Sequence, residues 1–378
     1  MLIANGKALV EGHLIPADIA IDGEILAETP KAAARRFDAE GLYVLPGIVD
    51  VHGDAFERQI MPRPSVSFPI DIALAETDKQ IIANGITTVF HGVTWSWEPG
   101  LRGSANALAM LDAIEMMRGK LGADTRYHLR HETYNLDAET TILDWIAKKR
   151  MGVLAFNDHF NLIARNKNKP QKLAGMIERS GLDAPHFAAL LDAVEAREKE
   201  VQPSIVRLAA AAKQAGIPLM SHDDARVHDR GWYRDIGCAI AEFPMTEEVA
   251  RDAVKHGEFT VFGAPNVVRG GSHTGCPAAA DMARAGLCSI LASDYYYPAL
   301  PLAAFRLAAD GVLPLAQAWA LVSENPAKAL GLTDRGTLSA GKRADLVLID
   351  GRDEKRPDIV ATIAAGKVVY LKDASRLA

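Results

Sequence analysis

The chain has 378 residues, 49% hydrophobic and 24% charged, with 42 Lys and Arg against 48 Asp and Glu for a net charge of -6. That length and balance bury a large core, and with no Lys/Arg-rich run they exclude an obvious nucleic-acid footprint or an anionic-membrane partner. Cys238, Cys276 and Cys288 are widely spaced without a CxxC, which argues against a disulfide framework and a cysteine zinc knot, and no apolar run approaches the ~20 residues that span a bilayer.

Residues 1–6 have no basic segment followed by an apolar core, so the expectation is an unexported protein of the reducing cytoplasm. Residues 7–10 and 18–25 read as short strands, with a hairpin signal at Asp22-Gly23. From about residue 41 to residue 332, apolar strand-like runs at 45–52, 86–92, 126–132, 152–159, 217–222, 238–243, 259–264 and 289–294 follow one another. Segments with apolar residues at helical spacing lie between them, such as 73–84, 105–119, 203–215, 247–255 and 315–321. Alternation of this kind predicts an α/β fold, a (β/α)8 TIM barrel. A doubly wound sheet competes, but no glycine-rich phosphate turn follows the first strand. Residues 344–350 and 367–371 return to short strands. Neither end alone can bury a face, so residues 1–43 and 332–378 are expected to pair into one small β-sandwich beside a barrel of residues 44–331.

Several predicted strands end in a residue able to bind a metal. His52 and Asp54 follow the first, Glu132 closes the third, Asp158-His159 the fourth, His222-Asp223-Asp224 the fifth and Asp294 the eighth. The carboxyl ends of barrel strands surround one mouth, so these groups would meet in space. Three histidines with three carboxylates suit Zn, Mn, Fe or Ni, as one or two ions, better than Ca or Mg. Bland roles compete at each position: His159 as a helix cap, Glu132 as a partner of Arg130 or Arg126, Asp294 as an N-cap. His128 is expected to face the barrel interior and His131 the helices, His91 is left open, and His13, His186 and His256 read as surface residues.

The stretch Pro46-Gly47-Ile48-Val49-Asp50-Val51-His52, the turn Ser323-Glu324-Asn325-Pro326-Ala327 and the run from Gly336 to Val347 resemble the amidohydrolase superfamily. Within it, Pro62-Arg63-Pro64, Gly85-Ile86-Thr87-Thr88-Val89, Ser221-His222-Asp223-Asp224-Ala225, Ile240-Ala241-Glu242-Phe243-Pro244, the run from Gly263 to His273 and Ser293-Asp294-Tyr295-Tyr296 resemble the PhnM family of phosphonate metabolism. The resemblance implies a barrel with a composite sandwich and a divalent metal centre. It also implies release of pyrophosphate from α-D-ribose 1-methylphosphonate 5-triphosphate, a small phosphorylated partner. It nominates His52, Asp54, Glu132, His159, His222 and Asp294 as metal-site residues.

On that reading Asp294 orients the attacking water and takes its proton, and Glu132 is the candidate ligand shared by two ions. Arg269-Gly270-Gly271-Ser272-His273 offers a guanidinium, backbone N–H groups, a hydroxyl and an imidazole to a triphosphate, with Arg63, Arg58 and Arg130 adding charge. Tyr295, Tyr296 and Tyr297 either wall the pocket or pack under the sandwich. The chain departs from the family pattern at Gly53 and Ala55, where Thr and Asn are usual, and at Phe160-Asn161-Leu162-Ile163, where a polar, glycine-containing loop is usual. Hydrolysis of a C–N bond in an amide and a metal-free binding or scaffold role are the alternative functions, and homo-oligomerisation is compatible with the sequence.

Overall fold

The computed structural model describes residues 1–31, 34–63, 66–164, 166, 169–272 and 275–377. An eight-stranded parallel sheet holds the strands β1 (Ile48–Gly53), β2 (Ile86–Trp95), β3 (Asp124–Glu132), β4 (Val153–Asn157), β5 (Leu219–His222), β6 (Ile240–Glu242), β7 (Phe259–Gly263) and β8 (Ile290–Ala292), each paired to the next. Closure between β8 and β1 comes at the carboxyl end, where Asp54 N donates to Asp294 O and Asp294 N to His52 O, both at 2.9 Å. Lower down, Leu321 and Val322 fill the gap, their carbonyls accepting from Leu291 N and Val49 N at 2.9 Å. Val51, Phe90, Val153, Ala155, Met220, Ile240, Val261 and Ile290 pack the interior, so the barrel is a filled core rather than a pore.

The terminal strands form two further sheets. Leu2–Ala4, Ile19–Asp22, Ile25–Ala27 and Arg36–Asp38 make one; Lys7–Val10, His13–Pro16 and Tyr43–Pro46 join Leu346–Asp350, Asp358–Ala364 and Lys367–Leu371 in the other. The expected pairing of the two ends is therefore present, and the hairpin turns between Asp22 and Ile25. Strand period explains how the six-stranded sheet serves two cores. Val44, Leu346 and Leu348 face the small sheet, whereas Leu45, Val347 and Ile349 pack against the barrel's outer layer with Ile81, Phe305 and Trp319.

The predicted run 45–52 is two strands rather than one. Tyr43–Pro46 pairs antiparallel with Leu346–Asp350 in the sandwich, and the barrel begins at Ile48. Gly47 makes the crossing, because a Cβ there would lie 2.3 Å from Thr87 Oγ1. Residues 44–46, expected as the barrel's start, thus belong to the sandwich sheet.

His128 lies inside the barrel, its Nδ1 bonded to Val51 O at 2.9 Å and its ring 5.3 Å from that of His52. His91 is fully buried, its ring 5.2 Å from that of Phe56, and burial pushes its pKa down to about 3. Because the unfolded chain takes up a proton near pH 6.5 and folded His91 does not, this contribution is complete above that pH and is lost as pH falls towards 3. The expected slope is about 1.4 kcal/mol per pH unit. Urea unfolding of His91→Leu should accordingly lose stability less steeply than the parent between pH 6 and 4. Equal slopes would mean that His91 protonates in the folded state.

Candidate metal centre

The mouth gathers its donors from strand ends on both sides of the barrel seam. His52 is the last residue but one of β1 and Asp54 comes just past its end; together with Asp294, just past β8, their ligand atoms lie within 4.8 Å of one another. A second group at the same spacing joins His222, the last residue of β5, to Asp223 and to His159, two residues past β4. Asp223, Phe243 and Asp294 leave β5, β6 and β8 with φ of 60°, 54° and 54°. For a bulky residue such as Phe243 that conformation is strained, and strain of this kind concentrates at functional sites.

Behind the rim stands Glu242, the last residue of β6, fully buried. Its Oε1 accepts from Nδ1 of His52 and its Oε2 from Nδ1 of His222, each at 2.7 Å. An ionised carboxylate only accepts, so both protons sit on Nδ1 and both Nε2 lone pairs are left for a cation. Burial alone would raise the Glu242 pKa; the imidazoles of His52 and His128 outweigh it and hold the carboxyl well below its ordinary range. Burial likewise opposes protonation of His52, and Glu242 more than reverses it.

Electrostatics favour a cation here. Asp294 has its pKa raised, first by burial and then by the charge of neighbouring Asp54, a repulsion that a divalent ion would relieve. A nitrogen and oxygen donor set with pre-oriented imidazoles fits Zn or Mn. Arg130 from β3 reaches into the same space, Nη1 donating to Asp54 Oδ2 at 3.2 Å and Nη2 to His222 Nε2 at 3.3 Å. That second contact agrees with the tautomer deduced from Glu242, because a guanidinium cannot accept.

Glu132 takes a different place from the one expected of a shared ligand. Its Oε1 accepts from Nδ1 of His159 at 2.6 Å, so it orients an imidazole whose Nε2 meets Asp223 at 3.2 Å, and it lies outside both donor groups. Between two carboxylates His159 has its pKa raised to about 9, although burial alone would lower it. Asp224 turns away into a buried network with Ser221 and Arg230, and Asp158 meets Asn161 Nδ2 at 3.3 Å.

A cavity of about 230 Å³ opens over the donors, walled by Phe243, Pro244, Phe262, Ser272, Cys276 and Tyr295. Ser272 is thus at the site. Arg269 reaches its edge, Nη1 lying 3.4 Å from Tyr295 Oη, and Arg58 donates to the Tyr295 carbonyl. The N–H groups of Gly270 and Gly271, expected to face an anion, instead donate to Val267 O and Asn266 O at 3.2 and 3.0 Å. They end the helix Ala264–Arg269, whose last carbonyls would otherwise lack donors. Arg63 is exposed, bridged to Val66, and does not line the cavity. His273 lies outside the described residues.

The departures from the family pattern have structural counterparts. A Cβ at Gly53 would lie 2.7 Å from Tyr297 Cε1 and 2.8 Å from Asp50 Oδ2, so the buried Tyr297 ring packs under the mouth where a side chain would stand. Phe160, in place of a polar loop residue, is buried and stacks on Tyr134 at 4.2 Å.

An amidohydrolase family model matches residues 70–370. The α-D-ribose 1-methylphosphonate 5-triphosphate diphosphatase of Escherichia coli (strain K12) is 35% identical over 364 residues, 93% of this chain and 96% of that protein. The chain belongs to the amidohydrolase family. An adenine deaminase of Methylobacterium nodulans is 25% identical over 96% of the chain and 56% of its own length. Among solved structures, molinate hydrolase superposes with a TM-score of 0.66 at 13% identity, covering 97% of this chain and 94% of that one. A Xaa-Pro dipeptidase with bound methionine gives 0.66 at 15% identity, over 98% and 99%. These likenesses agree with the barrel, and family membership makes the chain a metal-dependent hydrolase.

Glu242 is the functional residue that sequence reasoning passed over. It stands one residue before the end of the predicted strand 238–243, a lone carboxylate near a strand end as Glu132 is at its own, and that position was the available signal. Among the described residues no helix is long and apolar enough to cross a membrane.

Proposed function

We propose that the protein is a cytoplasmic diphosphatase that releases pyrophosphate from α-D-ribose 1-methylphosphonate 5-triphosphate, the substrate named for its Escherichia coli relative. The end-to-end match to that enzyme, with the donor groups meeting at one rim, is the observation that carries it. Nε2 of His52 and of His222, with Asp54 and Asp294, would hold the ion, and Glu242 keeps both imidazoles in the ligating tautomer. Such an ion lowers the pKa of water from about 16 towards about 7 and polarises the electrophile.

Asp294 orients the attacking water and accepts its proton as oxygen bonds to the α-phosphorus. The α–β anhydride bond then breaks and pyrophosphate departs with the electron pair. Arg58 and Arg269, both on Tyr295, face the approaching charge, and Ser272 offers a hydroxyl within the cavity.

Protein supplied with Mn or Zn should release pyrophosphate from a ribose 5-triphosphate. Arg269→Ala should raise KM for the triphosphate far more than for an uncharged ester. If neither a ribose nor a nucleoside triphosphate yields pyrophosphate, the assignment falls. The apolar wall of Phe243, Pro244 and Phe262 favours the second reading, hydrolysis of a C–N bond, which predicts amide turnover in the same protein.

A further inference from the structure

At the amino end of the barrel, away from the rim, four basic side chains surround one cavity. We propose that this cavity, lined by Arg118, Arg126, Lys149 and Arg150, is a second binding site that takes an anion bearing phosphoryl oxygens. The inference stands apart from the metal centre and from the reaction proposed there. The cavity measures about 350 Å³, enough for a small ligand, and Asp124 is the one carboxylate on its wall among the described residues. Asp124 opens β3, and residues 149–152 lead into β4, so the cavity lies at the opposite end of these strands from Glu132 and Asn157.

The two half-buried guanidiniums are fixed with donors to spare. Arg126 gives Nε and Nη2 to Asp124 Oδ2 at 3.1 and 2.9 Å, and its guanidinium carbon lies 5.6 Å from the centre of the Phe90 ring. Arg150 gives Nε and Nη2 to Glu115 at 2.9 and 2.6 Å, and Nη2 also reaches Asp112 at 2.8 Å. Its other side lies 6.0 Å from the Trp145 ring. Nη1 of each arginine has no acceptor among the described residues. A planar fork held in this way is preorganised for phosphate. Asp124 is already engaged, because Arg335 Nη1 donates to the same Oδ2 at 2.7 Å, and Asp112 and Glu115 stand outside the cavity wall.

Arg118 and Lys149 add charge that no ion pair uses among the described residues, and both are exposed. Each follows a helix, Ser104–Met117 or Glu139–Ala147, where the helix dipole favours a cation. That preference explains one cation at each helix end. It does not explain why both meet two spare guanidinium edges around a single cavity. Lys149 also holds a φ of 52°, the left-handed conformation in which glycine is usual after a helix.

Calorimetric titration of the metal-loaded protein with inorganic phosphate, pyrophosphate and ATP tests this. At least one anion should bind wild type in an event that Arg118→Gln/Lys149→Gln weakens about tenfold or more. The same event should survive EDTA, because no metal belongs to the cavity, and the anion bound most tightly identifies the source. Arg118→Lys/Lys149→Arg keeps both charges and should bind like wild type; loss of binding there as well would overturn the proposal. So would titrations of wild type and the Gln variant that superimpose for all three anions, or an event that EDTA abolishes. Failure to release pyrophosphate from a triphosphate would sink the diphosphatase reading alone, so the two failures are distinguishable.

Discussion

Asp294→Asn is expected to lower turnover roughly 10²–10⁴-fold at saturating metal, with the fold intact. The side chain is isosteric, and the backbone links that close the barrel, Asp54 N to Asp294 O and Asp294 N to His52 O, do not involve the carboxylate. What disappears is an acceptor for the water's proton. The carboxylate stands beside Asp54, and its pKa is raised by burial and by that neighbour, which brings it nearer the working range of a general base. Because Asp294 also belongs to the first donor group, metal content must be measured with the rate. Unchanged turnover at full occupancy would assign the proton transfer elsewhere.

Glu242→Gln should weaken binding of Mn or Zn on the order of 10- to 100-fold, the usual cost of losing a partner that orients metal-bound histidine. One amide replaces two equivalent oxygens. Its carbonyl can still accept from one Nδ1, but its NH2 faces the other imidazole and drives that proton to Nε2, removing the lone pair a metal needs. Glu242→Ala would leave both Nδ1–H groups without a partner in a fully buried site, costing about 1–3 kcal/mol each in addition to the metal. Calorimetric titration of the folded variants reads the effect. Metal affinity equal to wild type in the Gln variant would mean that Glu242 does not set the tautomer.

Much of this centre is legible along the chain because a barrel converts strand ends into neighbours. His52, Asp54, His159, His222 and Asp294 each follow an apolar run, and all five fall in the donor groups. Spacing shows where a strand stops, but not which way a carboxylate turns. Glu132 and Glu242 both close strands; His159 takes up the first, and His52 with His222 the second. The distinction rests on partners remote in sequence. Gly270 and Gly271 pose the same difficulty, because a glycine pair suits a helix C-cap as well as an anion nest, and here their N–H groups serve the helix end. The break at Gly47 was hidden inside one apolar run because both sides of it are buried, Leu45 against the barrel's outer layer and Val51 within the barrel.

Gathering of a divalent cation at the carboxyl-end rim underlies every role assigned above. Anomalous diffraction from a crystal soaked in manganese tests it most directly. The account predicts the strongest peak at that rim, within coordinating reach of His52 Nε2 and an oxygen of Asp294. Full soaking with no peak there, and His52 and Asp294 facing apart, would contradict it.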